Sequence, residues 1–247
     1  VPSGAAKPIG TPAEQSAMDA RADAQADAPP IPATPLLSVG ERRYRLVEFI
    51  ALFGVMPGLF AVGNVKALFL LLMSAMGVCL GLLLLDRSFD RRQLWNAPAL
   101  GPALPRILAL WGVGVVVLGG IVLLLEPGWF LAFPRERPWL WLAVMLLYPV
   151  LSVYPQNVVY RTFIMHRYRA VFPSDTAILW ASALAFSWGH VIFRNPVALA
   201  LTLAGGLIFA HTYQRTRSTL AVSVEHALYG CAVFTLGLGR ALYLGAN

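Results

Sequence analysis

The chain reads as an all-α, polytopic membrane protein, a bundle of about seven transmembrane helices with its N-terminus on the cytoplasmic side. Three observations lead there. Of its 247 residues, 58% are hydrophobic and only 13% charged, against about 25% charged in a soluble domain. A series of apolar runs approaches the roughly 20 residues a helix needs to cross the hydrocarbon. The basic residues fall unevenly on the loops that would join those runs, as an oriented membrane protein requires.

Taken in order, residues 1–38 are rich in Ala, Pro, Asp and Ser with almost no aliphatic bulk. Such a stretch cannot bury enough apolar surface to offset its ordering entropy, so a disordered tail is expected. It carries no basic region followed by a short apolar core and a cleavage site, so it does not read as a secretory signal. From Leu46 onward, spans are expected at 46–63, 67–85, 107–125, 138–154, 176–193, 196–213 and 219–238. Several are glycine-rich, as in "GVGVVVLGG" over 112–120, a composition that lets helix backbones approach closely in lipid. Between the second and third spans, "DRSFDRRQLWNAPALGPALP" (86–105) is polar and then proline-rich, an interfacial loop. No repeat of fixed period is visible.

With the N-terminus inside, fourteen Lys and Arg fall on the cytoplasmic side and five outside, together the nineteen present. The formal charge of +7 is thereby explained as a topology signal. No basic stripe is interleaved with stacking aromatics outside the spans, so nucleic acid is not expected as a partner. Cys79 and Cys231 both sit in apolar runs, too few and too separate for a disulfide framework, and read as inert packing residues.

Ionisable groups within the apolar runs carry the functional argument, because they are costly there and rarely idle. Of the 12 acids, only Glu225 is expected well inside a span, in "STLAVSVEHALYG", followed directly by His226. In "YPQNVVYR", Pro155 suits the first turn of a helix, and Asn157 and Arg161 then share a face four residues apart. "FSWGH" spaces Phe186 and His190 alike, and "HALYG" spaces His226 and Gly230. Each group also has a plainer reading. The amides Gln156 and Asn157 suit a helix cap, His166 and His211 suit interfacial anchors, and His190 or His226 alone suits helix-to-helix hydrogen bonding. Four such groups on three helices point instead to one polar pocket.

These three stretches resemble the motifs of the CPBP family of CAAX prenyl proteases and bacteriocin-processing enzymes, also called the Abi family. Its members carry Glu-Glu-x-x-x-Arg, Phe-x-x-x-His and His-x-x-x-Asn or Asp, in that order on separate membrane helices. Arg161 fits the first motif, "FSWGH" the second and His226 the third, over about residues 138–240. The resemblance divides the chain after its tail into N-terminal helices and a loop over 39–137 and a family-like catalytic core over 138–240. It implies endoproteolysis within the membrane on a peptide or membrane-protein substrate that enters from the bilayer or the cytoplasmic side. A bacterial inner-membrane location is expected.

The departures are specific. Gln156 and Asn157 stand where the family has glutamates, and Gly230 stands where it has Asn or Asp. In the family, the first glutamate and the second-motif histidine are thought to activate water, and the last histidine and asparagine to stabilise the oxyanion. An amide takes no proton at neutral pH, so the chain as written is expected to be inactive or weakened. Either it is a natural pseudoenzyme, or the amides are a deliberate knockout, or the base has moved to Glu225. In the last case Glu225 and His190 activate water, His226 supports the oxyanion and Arg161 orients the acid. Glu225 and His226, as neighbours, diverge by about 100° around a helix. Zinc could be held by His190, His226 and Glu225, but without a His-Glu-x-x-His signature metal-free chemistry is favoured and no cofactor is expected. The rival functions are a catalytically dead scaffold or chaperone and, further off, a proton-coupled transporter. A simple ladder of spans separates Asn157 from His190 by on the order of 15–20 Å in depth. The pocket therefore needs Pro149 and Pro155 to break or tilt the fourth span.

Overall fold

The computed structural model describes residues 37–63 and 67–239; the expected tail up to residue 36, Lys66 and Arg240 lie outside the described residues. Among the described residues, seven helices are long and apolar enough to cross a membrane: α1 Val39–Val62, α2 Leu68–Leu85, α3 Ala97–Leu125, α4 Pro138–Arg167, α5 Asp175–Phe193, α6 Pro196–Thr216 and α7 Thr219–Leu236. Among the described residues there is no strand.

Polar residues start four of these helices, satisfying orphan backbone N–H groups. Ser38 accepts from the Glu41 N–H at 3.1 Å, Ser174 from Ala177 at 3.1 Å and Ser218 from Ala221 at 3.0 Å. Asn195 accepts from Val197 at 2.8 Å, just ahead of Pro196 at the first helical position. At the other end, α7 stops on Gly237, whose φ of 103° is left-handed. A Cβ there would also lie 2.8 Å from the carbonyl carbon of Trp129, so two constraints select glycine.

Three span boundaries differ from the expected ones by more than a helical turn. α1 begins at Val39, not 46, which moves Glu48 from the end of the span to its interior. The carboxylate is tolerated because it is paired: Arg167 Nε and Nη2 each donate to it at 2.8 Å and the Tyr168 hydroxyl at 3.0 Å. α3 begins at Ala97, not 107, so the interfacial loop shortens to 86–96 and Arg106 becomes helical. Its Nη1 donates to the Thr212 hydroxyl of α6 at 3.0 Å. α4 runs on to Arg167 and does not end at 154. Pro149 and Pro155 do not break it, because wide π turns at Pro149–Val153 and Val158–Phe163 absorb the disturbance.

Packing concentrates in the second half of the chain. α7 lies against α3, α4 and α6, while α5 lies against α6, α4 and α1. Apolar side chains gain little by leaving lipid for protein, so helix association depends on close approach and hydrogen bonds. Gly206 of α6 shows the first: a Cβ there would sit 3.1 Å from the Ala183 carbonyl oxygen and 3.2 Å from its Cα in α5. Thr162 and Thr219, joined at 2.6 Å between α4 and α7, show the second.

Candidate active site

The lengthened α4 changes the depth of the motif residues. Asn157 and Arg161 sit within the helix, with six residues of α4 beyond Arg161 before it ends at Arg167. The expected mismatch in depth closes without a helix break. Arg161 is fully buried. Its Nη1 donates to the Ser182 hydroxyl at 3.0 Å and the Ser182 carbonyl at 3.3 Å. Ser182 in turn donates to the Tyr160 carbonyl at 2.6 Å. The guanidinium carbon lies 4.6 Å from the centre of the Phe186 ring, a cation–π contact away from water. Among the described residues, its Nε and Nη2 have no hydrogen-bond partner.

Phe186 is the centre of the arrangement. The His190 ring is 4.7 Å from it, His226 5.4 Å and Tyr160 5.4 Å, all edge-on. Spacing by four residues within "FSWGH" produces the first of these contacts. It also sets a hydrogen bond of 2.7 Å between His190 Nδ1 and the Phe186 carbonyl. A carbonyl only accepts, so Nδ1 carries the proton and Nε2 keeps its lone pair in the neutral ring. That nitrogen is a general base in form.

His226 is buried beneath the same phenylalanine and stacks on Phe209 of α6 at 4.4 Å and 19°. Asn157 Nδ2 lies 3.3 Å from its Nδ1 and donates to the Ser223 hydroxyl at 3.1 Å. On the other side of the ring, the Tyr148 hydroxyl is 3.5 Å from Nε2. His190, His226 and Arg161 therefore meet around one aromatic ring, and Asn157 joins them through His226, the groups coming from α4, α5 and α7.

Two candidates stand apart. Gln156 turns back along its own helix and donates to the Ser152 hydroxyl at 2.7 Å. Glu225 is fully buried, and its polar neighbours are Thr212 and Arg106, on α6 and α3. The divergence expected for adjacent residues accounts for this. Arg161 does not pair with Asn157; its partners are Ser182 and Tyr160. Among the described residues, no three His, Cys, Asp or Glu side chains cluster so as to hold a metal.

Ser182, Ser223, Phe209 and Tyr148 had no signal in the sequence, being ordinary residues whose importance lies in what crosses from another helix. One hint was readable afterwards. Gly230 departs from the third motif, and a side chain added there would collide with Tyr148.

The family model described as Type II CAAX prenyl endopeptidase Rce1-like matches residues 137–232. No curated protein and no solved structure matches the chain. The match spans all three motifs and supports the CPBP-family membership and CAAX-type intramembrane protease fold read from them.

Proposed function

We propose that residues 137–232, the stretch matched to that family, form an intramembrane endopeptidase site of weakened activity that acts on a peptide or membrane-protein substrate. The observation that carries this reading is the gathering of His190 and His226 around Phe186, with Asn157 against the His226 ring. In this reading His190 Nε2 takes a proton from water as the water oxygen bonds to the scissile carbonyl carbon. His226 lies beside the oxygen that gains charge, and Arg161 keeps the pocket cationic. Asn157 replaces a proton acceptor with an amide that orients His226 but cannot assist the base. Glu225 has no part in the chemistry. A scaffold of the same fold is the competing reading, favoured by an Asn157 amide already engaged by Ser223 and His226. The N-terminus is assigned to the cytoplasm, in a bacterial inner membrane, on the loop charges.

The test is cleavage of a prenylated CAAX-type peptide by the protein reconstituted in liposomes. Low turnover is expected from the parent, with loss in His190→Ala. Asn157→Glu should raise it, because a positioned general base contributes about 10²–10⁴-fold. No turnover with any peptide tried, in Asn157→Glu as in the parent, would favour the scaffold. Orientation is tested with single cysteines placed in 86–96 and 168–174 in a background lacking Cys79 and Cys231. Both should resist an impermeant thiol reagent in intact cells, and labelling of both from outside would reverse the assignment.

A further inference from the structure

The third motif lacks its amide, since position 230 is glycine, yet the space beside His226 is not left to solvent. A Cβ built on Gly230 would lie 2.7 Å from Tyr148 Cζ, and nearer still to its Oη and Cε1. No side chain at 230 can coexist with Tyr148 where it stands. The tyrosine ring is held from two directions, edge-on to Phe234 at 5.2 Å and to His226 at 6.4 Å. Its hydroxyl is thus delivered from α4 to the place that a side chain one turn after His226 would otherwise occupy.

Proton positions follow from the partners. Asn157 Nδ2 only donates, so the His226 Nδ1 it faces is the acceptor, and the neutral ring carries its proton on Nε2. That N–H faces the Tyr148 oxygen at 3.5 Å. A phenol that accepts through its oxygen still has its own O–H to give.

We propose that Tyr148 replaces the missing third-motif amide, its hydroxyl donating to the carbonyl oxygen of a bound peptide as that oxygen becomes anionic. The proposal rests on the endopeptidase reading and deepens it. When water adds to the carbonyl carbon, the π pair moves onto oxygen and the new C–O bond forms. The Tyr148 O–H, polarised by His226 Nε2–H, stabilises that charge without giving up its proton. Asn157 then serves as a positioning residue that fixes the His226 tautomer. The glycine at 230 and the tyrosine at 148 are one exchange, made across two helices.

The decisive measurement compares binding of a peptidyl phosphonate, a tetrahedral anion, with binding of the corresponding uncleaved peptide. Tyr148→Phe should weaken the phosphonate by tenfold or more and leave the peptide unchanged. In the parent, whose Asn157 holds the His226 tautomer, the same variant should lower kcat by about 10²–10³-fold, the effect of removing one oxyanion donor, with KM little changed. Gly230→Asn alone should lower the melting temperature through collision with the ring, whereas Tyr148→Ala with Gly230→Asn should melt with Tyr148→Ala and recover phosphonate affinity. Equal phosphonate binding by the parent and Tyr148→Phe would reduce Tyr148 to a packing wedge and overturn the proposal while leaving the endopeptidase reading intact. If no variant binds the phosphonate and none turns over peptide, that reading falls and the proposal with it.

Discussion

Within the most apolar stretch of each helix, 11% of residues are buried in α1 and α2 and 17% in α3, but 28% in α4, 33% in α5 and α6 and 44% in α7. The first three helices face outward with large aliphatic side chains such as Leu70, Val78, Val116 and Leu124 exposed. The last four instead bury Asn157, Arg161, Ser182, Ser223, Glu225 and His226. In water such polar residues would mark a surface. In lipid the rule inverts: apolar side chains face the solvent, and polar groups are sheltered where they find partners. The more apolar region is therefore the less packed one, and the helices with the weaker claim to be membrane spans hold the site.

The largest expected effect that sharpens this contrast is at Arg161. Arg161→Lys loses the ring-stacked fork and its buried hydrogen bonds, and should lower stability in detergent by about 2–4 kcal/mol. Arg169, in an exposed ion pair with Asp175 at 2.8 Å, should tolerate lysine without a measurable shift in melting. If both variants melt with the parent, Arg161 is only an interfacial anchor.

Next in size is the tie between the two regions. Glu48 of α1 holds Arg167 at the end of α4 through a bidentate bridge. Glu48→Gln should cost about 1.5–3 kcal/mol, as expected for lost hydrogen bonds to a charged group. Chemical unfolding should show it, and an unchanged midpoint would mean that the two regions are not coupled through this bridge.

Glycines allow a direct comparison. Gly206→Leu drives a side chain into the Ala183 backbone, and overpacking of this kind costs about 1–3 kcal/mol. Gly112 of α3 has nothing within 4 Å of where a Cβ would be, so Gly112→Leu should leave melting unchanged. Equal losses at both would erase the distinction between a packed core and a lipid-facing flank.

The smallest effect lies at the membrane edge. The Ser88 hydroxyl and then His166 pull the Asp86 carboxyl down to about 2. With the folded value depressed below the unfolded one near 3.9, its contribution is fully present above about pH 4 and is lost as pH falls toward 2. Exposure screens it to about a few tenths of a kcal/mol. The melting difference between the parent and Asp86→Asn should be constant above pH 5 and vanish near pH 2; a difference that persists at pH 2 would assign the effect to packing.

Features set by local chemistry were legible in the sequence. Seven apolar runs and the pairing of Phe186 with His190 depend on residues within a turn or a span of one another. Hydropathy alone misjudged the start of α1, where Arg42 and Arg45 are satisfied from afar by the Val171 and Arg167 carbonyls. The site followed the same division. Arg161, His190 and His226 could be singled out because ionisable groups in apolar runs are costly wherever the helices lie. Their partners could not: Ser182 for Arg161, and Phe209 and Tyr148 for His226, come from other helices. Which face of α7 meets α4 is decided by how whole helices pack, through Tyr148 on Gly230 and Thr162 on Thr219. A chain read one residue at a time shows which groups lipid will not tolerate alone, and only the assembled bundle decides which neighbour makes each of them tolerable.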